Sequence, residues 1–499
     1  MTLRRVAALR WFCRFPLWLL IGALAALGQE PLNWWPATVL GLALAFAIFQ
    51  TTDRWQQAAW RGWWIGTGYF LASLNWIVEP FLVDAARYGW MALPALYLLS
   101  AGLALFWALS FGVARALGRG GAGWIGVWLL AELLRSYLFT GFPWAQPGHV
   151  LINTGALGWA AYVGAPGLNA AVLAAAIGLR KLLGHARLLG AALLAGLAAL
   201  MITGPMVSPP PAVPGDAPTV RLVQPNATQS EKWDRAKIPE FFARQLDFTR
   251  AEGNPDLIVW PETAIASLLA SSGPAFAAMS EAAGDAPVAV GLRRLEEGRR
   301  LYNTLALIDG EGQVAGLYDK HHLVPFGEYI PFGNVLGRYG LRGLAAEDGF
   351  GFSSGPGPTL MDIPGLGPAL PLICYESIFP RNLRGTGGRA RFILLVTNDA
   401  WFGQISGPYQ HLAQARLRSA EQGLPMVRVA NTGISAMIDS AGQITGSLPL
   451  GQAGWIDRPL PPAKEPTLYA AYGDWPMIGL AVLLLGAGFA ARLRPPRVT

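Results

Sequence analysis

Pro371-Leu-Ile-Cys-Tyr-Glu-Ser377 carries an apolar run that stops at a thiol and continues into polar residues. A run this short reads as a buried strand followed by its exit. The pattern repeats on both sides. Asp256-Leu-Ile-Val-Trp260 opens into Pro261-Glu262-Thr263, Val314 to Tyr318 into Asp319-Lys320-His321-His322, and Phe392 to Thr397 into Asn398-Asp399. Further strand-like runs lie at Thr219 to Gln224, Val288 to Leu292, Thr304 to Ile308, Ala369 to Ile373, Met426 to Ala430 and Ile434 to Ile438, and Trp233 to Glu252 reads as a helix. Asp309-Gly310, between two of the runs, is a hairpin signal. Strands alternating with helices predict a layered α/β domain with a substantial core.

Polar chemistry collects where these strands end, and in open α/β sheets ligands bind at the carboxyl ends of strands. Taken singly, a Glu or Lys after a strand is an ordinary solvated turn residue, and a lone Cys is a small buried hydrophobe. Their recurrence at successive exits points instead to a site. A thiol attacks as its thiolate, which needs a base to take the proton or a cation to hold the charge. Glu262 is the candidate base, Lys320 the candidate cation and Cys374 the candidate nucleophile. His321 or His322 paired with Cys374 is a competing arrangement of the cysteine-protease kind. Two distant cysteines and five scattered histidines give no zinc spacing. The second cysteine, Cys13, sits in an apolar N-terminal stretch, so no disulfide framework is expected.

Composition sets the compartment. Hydrophobic residues make up 53% of the 499 residues and charged residues 14%, too apolar for an ordinary soluble chain. Seven apolar segments, near 12–28, 33–50, 60–78, 89–114, 121–140, 158–179 and 186–203, approach the ~20 residues a bilayer requires, and an eighth covers 475–491. A cleaved signal peptide is the rival reading of the first, but Ala26-Leu-Gly28 leads straight into the second span. The division is therefore 1–204 for seven helices, 205–472 for an inserted domain entered through the proline-rich Ser208 to Pro218, and 473–499 for the eighth helix and a tail.

Basic residues orient the set. Arg4, Arg5, Arg10, Arg54, Arg61, Arg115, Arg119, Arg180, Lys181, Arg187, Arg492, Arg494 and Arg497 fall in alternate connections or at the termini, whereas 29–32 and 141–157 hold none. Both termini are expected in the cytoplasm and the inserted domain on the opposite, periplasmic side of a bacterial inner membrane. Trp34, Trp35, Trp60, Trp63, Trp64, Trp90 and Trp475 suit an interfacial belt. The net charge of +7 is mostly this topology signal, and no basic run interleaved with aromatics suggests nucleic acid. Glu132 and Arg135 are three apart on one span, a spacing that allows simple pairing or a role at a lipid headgroup.

Trp260-Pro-Glu-Thr-Ala264, Tyr318-Asp-Lys-His-His-Leu-Val-Pro-Phe-Gly-Glu-Tyr-Ile-Pro331 and Ile373-Cys-Tyr-Glu-Ser377 resemble the Glu, Lys and Cys motifs of the nitrilase, or carbon-nitrogen hydrolase, superfamily. More narrowly they resemble its membrane-bound branch, the bacterial apolipoprotein N-acyltransferases. The likeness extends to Thr397-Asn-Asp-Ala-Trp-Phe-Gly403, Gly407-Pro-Tyr-Gln-His411 and Asn431-Thr-Gly433, and it covers essentially the whole chain. Leu424, where the family commonly has Arg, and Ala266, where Pro is frequent, depart from it.

The resemblance implies about eight transmembrane helices with an inserted nitrilase-like αββα sandwich. It implies acyl transfer from a phospholipid, the sn-1 chain of phosphatidylethanolamine, through a Cys374 thioester to the N-terminal amine of a diacylglyceryl apolipoprotein. Glu262 is then general base and Lys320 oxyanion stabiliser, helped by the backbone donor of Tyr375. Glu328 matches the superfamily's second glutamate, and Glu376 either serves the site or caps the following helix. Trp233, Asn398, Trp401 and Phe402 are candidates for substrate contact, and 331–344 for a mobile lid touching the bilayer. No cofactor is needed, because the donor ester already carries the activation, and nothing calls for more than a monomer. A membrane-tethered amidase and an inactive transporter or scaffold are the alternatives.

Overall fold

A computed structural model describes residues 15–296, 300–331 and 351–493. Cys13, the arginines at 4, 5, 10, 494 and 497, and nearly all of the expected lid at 331–344 lie outside those residues. The chain divides into two compact units. One comprises Met1–Val78, Trp90–Ser208 and Ala471–Thr499, the other Glu79–Gly89 and Pro209–Ala470. The second unit thus takes in a segment that the sequence reading left as a plain connection between spans. Two short helices, Glu79–Leu82 and Ala85–Tyr88, form there.

The first unit is helical: α1 Phe15–Ala26, α2 Trp35–Gln50, α3 Trp55–Ser73, α4 Ala92–Leu117, α5 Gly121–Tyr137, α6 Ala160–Leu182, α7 Arg187–Val207 and, after the second unit, α11 Trp475–Leu493. Among the described residues, four stretches are long and apolar enough to cross a membrane by themselves: Ala85–Leu117, Gly155–Leu182, Arg187–Val207 and Trp475–Leu493. The other expected spans do not meet that standard within the described residues. α2 has 16 residues, α5 has 17 and contains Glu132 and Arg135, and α3 carries Gln56, Gln57 and Arg61, while the described part of α1 starts at Phe15. The fourth span, expected from residue 89, begins as α4 at Ala92, and α6 is kinked at Gly164, whose φ is 58°.

Packing in this unit rests on aromatics and glycines. Trp107, Trp124, Trp128 and Trp144 are fully buried, and Trp107 and Trp128 meet edge to face with centroids 4.6 Å apart. Tryptophan therefore serves the helix core, while Trp34, Trp90 and Trp475 of the expected interfacial belt are exposed. Trp60, Trp63 and Trp64 pack on one another. Arg135 is spent inside the protein: it pairs with Glu132 and donates to the carbonyls of Phe142 and Trp144, while Trp107 and Trp128 donate to Glu132. With those donors engaged, the pair serves packing rather than a headgroup. Backbones approach closely at Gly204, where a Cβ would lie 1.8 Å from the carbonyl oxygen of Gly155. Gly204→Leu is expected to separate α7 from the Gly155–Trp159 turn and lower the Tm of the detergent-solubilised protein, followed by tryptophan fluorescence; an unchanged Tm would contradict this contact.

The second unit holds two six-stranded sheets, in the orders β12-β1-β2-β3-β4-β5 and β11-β10-β9-β8-β7-β6. In chain order the strands are β1 Thr219–Gln224, β2 Leu257–Val259, β3 Val288–Glu296, β4 Arg300–Ile308, β5 Val314–Asp319, β6 Met361–Ile363, β7 Gly367–Ile373, β8 Phe392–Thr397, β9 Met426–Ala430, β10 Ser435–Ile438, β11 Ile444–Leu448 and β12 Gly454–Pro459. β4 and β5 form the expected hairpin. The sequence gives no signal for β6, β11 and β12, because β6 is only three residues long and β11 and β12 are edge strands, partly exposed and without an apolar run.

β1, β2 and β3 run parallel, as do β7, β8 and β9. Both faces of such strands are covered, which is why β8 is apolar and buried throughout rather than alternating. Ile258 and Trp260 pack with Leu246 of α8 (Ile238–Arg250) and Phe276 and Met279 of α9 (Gly273–Ala283). Leu370, Leu372, Ile393 and Leu395 pack with Leu412 and Ala415 of α10 (Gly407–Gln422). Helices thus cover one face of each sheet, and the intervening strand residues meet between the sheets. Gln224 of β1 joins the sheets by accepting from the Ser435 backbone at 3.0 Å and its hydroxyl at 2.7 Å.

Arg221 ties the start of this unit to its end. Its guanidinium is buried, makes paired bonds of 2.8 and 2.7 Å to Asp457 of β12, and donates to the carbonyls of Thr249, Ala251 and Glu252 after α8. Removing one partner of a buried pair typically costs about 3 to 5 kcal/mol. Asp457→Ala should therefore destabilise the unit by about the lower of those figures, since Asp457 keeps some exposure; loss of protease resistance at the β1–β12 edge is the measurement.

Candidate active site

The directions of the strands bring the polar exits to one side. β5 is antiparallel to β4, which is antiparallel to β3, so β5 ends where β2 ends. Glu262 follows β2, Lys320 follows β5, Cys374 follows β7 and Asn398 follows β8.

Glu262 is held on both carboxylate oxygens. Oε1 accepts from Asn303 Nδ2 at 2.7 Å and lies 3.6 Å from Lys320 Nζ, and Oε2 accepts from the Asn398 backbone N–H at 2.7 Å. The last bond joins the exit of one sheet to the exit of the other. Gly291 of β3 makes the turn possible, because a Cβ there would lie 2.6 Å from Glu262 Cα. Just beyond, Thr263 has φ 46°. For a β-branched residue that is a strained conformation, worth about 1 to 3 kcal/mol, which the surroundings must sustain.

Lys320 is almost fully buried. Its ammonium donates to Glu328 Oε1 at 2.8 Å, and Glu328 Oε2 accepts from the Val324 backbone at 2.9 Å. Burial alone would lower the lysine pKa. The Glu328 and Glu262 carboxylates overcome that and hold it above its usual value, so Lys320 stays a cation. Glu328 therefore orients the lysine.

Cys374 also has a left-handed backbone, φ 52°, at the start of the 3₁₀ turn Cys374–Ile378. Its thiol is buried, and burial first, then the Glu262 carboxylate, push its pKa up; Lys320 and a hydrogen bond with the Thr397 side chain pull it down. At rest the group is a neutral thiol. The Glu262 carboxylate acts on it electrostatically, and a thiol in this state needs a base before it can serve as a nucleophile.

Glu376 is fully buried and clamps two motifs together. It accepts from the Ile373 backbone at 2.8 Å, from the His321 and His322 backbones at 2.8 and 3.1 Å, and from the Tyr318 hydroxyl at 2.9 Å. It thus joins the residues after β5 to the cysteine turn, a wider role than a helix cap. His321 Nδ1 lies 2.7 Å from Glu376 Oε1, and His322 stacks on Phe379 at 3.8 Å. Burial, reinforced by Arg381, lowers His322 to about 4. Both histidines are engaged in holding the loop, which disfavours the protease-like pairing.

Two supporting groups were missed. Asn303 lies within a strand, so the search of strand exits passed over it; a buried asparagine in an apolar run was the available signal. Beneath Cys374, Asp399 receives Arg428 at 2.6 Å and lies 2.9 Å from His411 Nδ1, and His411 Nε2 faces the Ser377 hydroxyl at 3.0 Å and the Cys374 carbonyl at 3.3 Å. His411 and Asp399 stood in quoted motifs, but their convergence with Arg428 was not visible along the chain. Asn398 also accepts from Asn431 at 2.9 Å and donates to Gln229 at 2.9 Å, so its place against Glu262 is fixed. Phe402 packs edge to face on His411 with centroids 5.5 Å apart and belongs to this support, while Trp401 is half-buried. Trp233 is 37% exposed and lies beside a largely apolar cavity of about 420 Å³ lined also by Phe241, Phe242 and Ile265.

Residues 219–464 match the carbon-nitrogen hydrolase family profile, and residues 21–178 match that of the apolipoprotein N-acyltransferase N-terminal domain. An apolipoprotein N-acyltransferase of Rhodopseudomonas palustris is 36% identical, covering 96% of this chain and 95% of its own length. One from Brucella melitensis is 40% identical over 91% of this chain and 86% of its own. The chain belongs to the apolipoprotein N-acyltransferase family. As a member it is a membrane acyltransferase, which sets aside the amidase and scaffold readings. Among solved structures, an amidase from Nesterenkonia sp. AN1 matches with a TM-score of 0.37 and 17% identity, covering 52% of this chain and 98% of the amidase.

Two outcomes check the geometry. Gly291→Ala in this N-acyltransferase should push Glu262 out of line and reduce kcat without unfolding the chain, compared by turnover and Tm. The Glu376–His321 contact should respond to pH. Burial would raise Glu376, but its bonds with His321 and the backbone lower it, while His321 is raised by Glu376 against its own burial. The glutamate contribution is present above its unfolded pKa and lost as pH falls through its depressed folded value. The histidine contribution is complete below its unfolded pKa, ~6.5, and lost as pH rises through its raised folded value. Tm should therefore fall on alkaline titration through His321's raised value, and Glu376→Gln should remove that dependence.

Proposed function

We propose that Cys374 takes an acyl chain from a phospholipid as a thioester and passes it to the α-amino group of a diacylglyceryl-cysteine at the N-terminus of an apolipoprotein. The observation that carries the reading is a neutral buried thiol in a strained turn, within electrostatic reach of a bonded carboxylate and a permanently charged lysine.

In the first step Glu262 accepts the thiol proton as sulfur attacks the ester carbonyl. Lys320 and the Tyr375 backbone N–H stabilise the tetrahedral oxyanion. The carbon–oxygen bond breaks, and the leaving hydroxyl of the lysophospholipid takes the proton from Glu262. In the second step the acceptor amine attacks the thioester, Glu262 takes the amine proton, the carbon–sulfur bond breaks, and the thiol is restored by that proton. Removing one oxyanion stabiliser of this kind costs about 3 to 4 kcal/mol in the barrier. The sn-1 chain of phosphatidylethanolamine is the proposed donor, and Trp233 and Trp401 the proposed contacts for substrate. One chain supplies every group named, so a monomer suffices.

The membrane plan is part of the proposal: eight spans, with 1–204 and 473–499 in the bilayer and its cytoplasmic margin, and 205–472 in the periplasm above the inner membrane. Basic residues at the connections support it. Arg115 donates to the Thr52 carbonyl at 2.8 Å, Arg119 pairs with Asp53 at 2.9 Å, and Arg492 donates to the Ala116 carbonyl at 2.6 Å, so these cations gather at one end of the helical unit.

Incubation with phosphatidylethanolamine and no acceptor should add one acyl chain to Cys374, seen by intact mass, with release of an equal amount of lysophospholipid. Glu262→Gln should slow that adduct by about 100-fold or more. Lysophospholipid release at the normal rate by Cys374→Ala would exclude the thioester.

A further inference from the structure

Lys232 is buried beside the Glu262 turn, and nothing in the chemistry above uses it. Its ammonium donates to the Thr263 hydroxyl at 2.8 Å and to the Glu262 backbone carbonyl at 3.1 Å. These are the two residues whose conformation sets where the base points, and Thr263 is the strained one, with φ 46°. From the other side, β3 supplies only backbone: the Gly291 N–H to the Pro261 carbonyl at 3.2 Å, and the Ala264 N–H to the Gly291 carbonyl at 2.7 Å. The Lys232 bonds add a charged side chain to that backbone frame.

We infer that Lys232 is a positioning residue for the general base: its charged ammonium holds the Glu262–Thr263 turn in the conformation that keeps the Glu262 carboxylate bonded to Asn303 and Asn398 and directed at Cys374. It touches no reacting atom and acts through Glu262. The inference rests on Glu262 being the base of the reaction proposed above.

The surroundings make this hold dependent on protonation. Glu262, at the exit of β2, favours the charged ammonium, and Arg293 of β3 opposes it. Both cations lie near the Trp233 ring, its centroid 5.5 Å from Lys232 Nζ and 4.8 Å from the Arg293 guanidinium carbon. Neighbouring Glu231 accepts from the Thr228 hydroxyl at 2.8 Å. Burial is the largest influence and brings the lysine down to about 8. Below that pH both bonds are charge-assisted; above it they become bonds from a neutral amine, which are roughly half as strong. Arginine in the same place would not titrate.

Alkylation of Cys374 by iodoacetamide reads the base and thiol without any lipid, so it separates this inference from the acyl-transfer reading. The full-length protein with Cys13→Ser, in detergent micelles, is alkylated between pH 6 and 10 and followed by intact mass. Because burial raises the thiol, its rate should climb with pH, and in the parent the climb should flatten above about pH 8. Lys232→Arg should keep a rate near the parent's at neutral pH and lose the flattening. Lys232→Met should be about tenfold slower at neutral pH, as the charge-assisted bonds are lost. Thr263→Ala, which removes one of the two acceptors and leaves the lysine, should show a smaller loss with the flattening retained. The inference is overturned if Lys232→Met alkylates at the parent rate, or if the parent and Lys232→Arg profiles superimpose. Should Lys232→Met fail to fold, the comparison of the parent with Lys232→Arg decides alone.

Discussion

A lysine ammonium sealed away from water between two carboxylates governs the architecture of the site. Lys320 is 1% exposed, 2.8 Å from Glu328 and 3.6 Å from Glu262. Taking such ions out of water costs several kcal/mol each, recovered only if their remaining hydrogen-bonding positions are filled. That requirement explains the neighbours: Asn303 beneath Glu262, the Asn398 N–H on its second oxygen, and the Val324 N–H on Glu328. The donors come from both sheets, so the cluster forms only when the sandwich is closed. Folding and assembly of this charged cluster are in this sense one event.

Strain is concentrated at the same place. Thr263 and Cys374, one on each sheet, both adopt left-handed backbones. Neither is glycine, so each conformation must be imposed from outside. For Cys374 the imposing groups are Glu376, which fixes the strand before it, and the Asp399–His411–Arg428 set, which reaches its carbonyl through His411. The turn directs the thiol and the following N–H away from the regular course of β7. A relaxed β strand would have alternated them to opposite faces.

The helical unit meets a comparable demand by different means. Its buried ion pair, Glu132 with Arg135, is satisfied by two tryptophan donors and two backbone carbonyls from the segment after α5. In an apolar interior such a set is costly unless complete, and here the bonds run to protein groups. The tryptophans that supply it also fill the core. Their number in the sequence therefore reports packing as much as a membrane boundary.

The sequence by itself determined the class of each half and the family, and it singled out the strand exits that carry Glu262, Lys320 and Cys374. Buried parallel strands must be apolar on both faces, so β2, β7 and β8 stood out as continuous runs, and their abrupt ends exposed Glu262, Cys374 and Asn398. Short edge strands without an apolar run gave weaker signals, which is why β6, β11 and β12 were missed. Only the tertiary structure decided the partners. Asn303, Lys232, His411 and Arg428 are separated from the residues they serve by roughly 30 to 50 positions along the chain and by no regular period. Their roles arise from desolvation: a charge or strained turn enclosed by two sheets must find its partners among whatever side chains the closed fold brings to it.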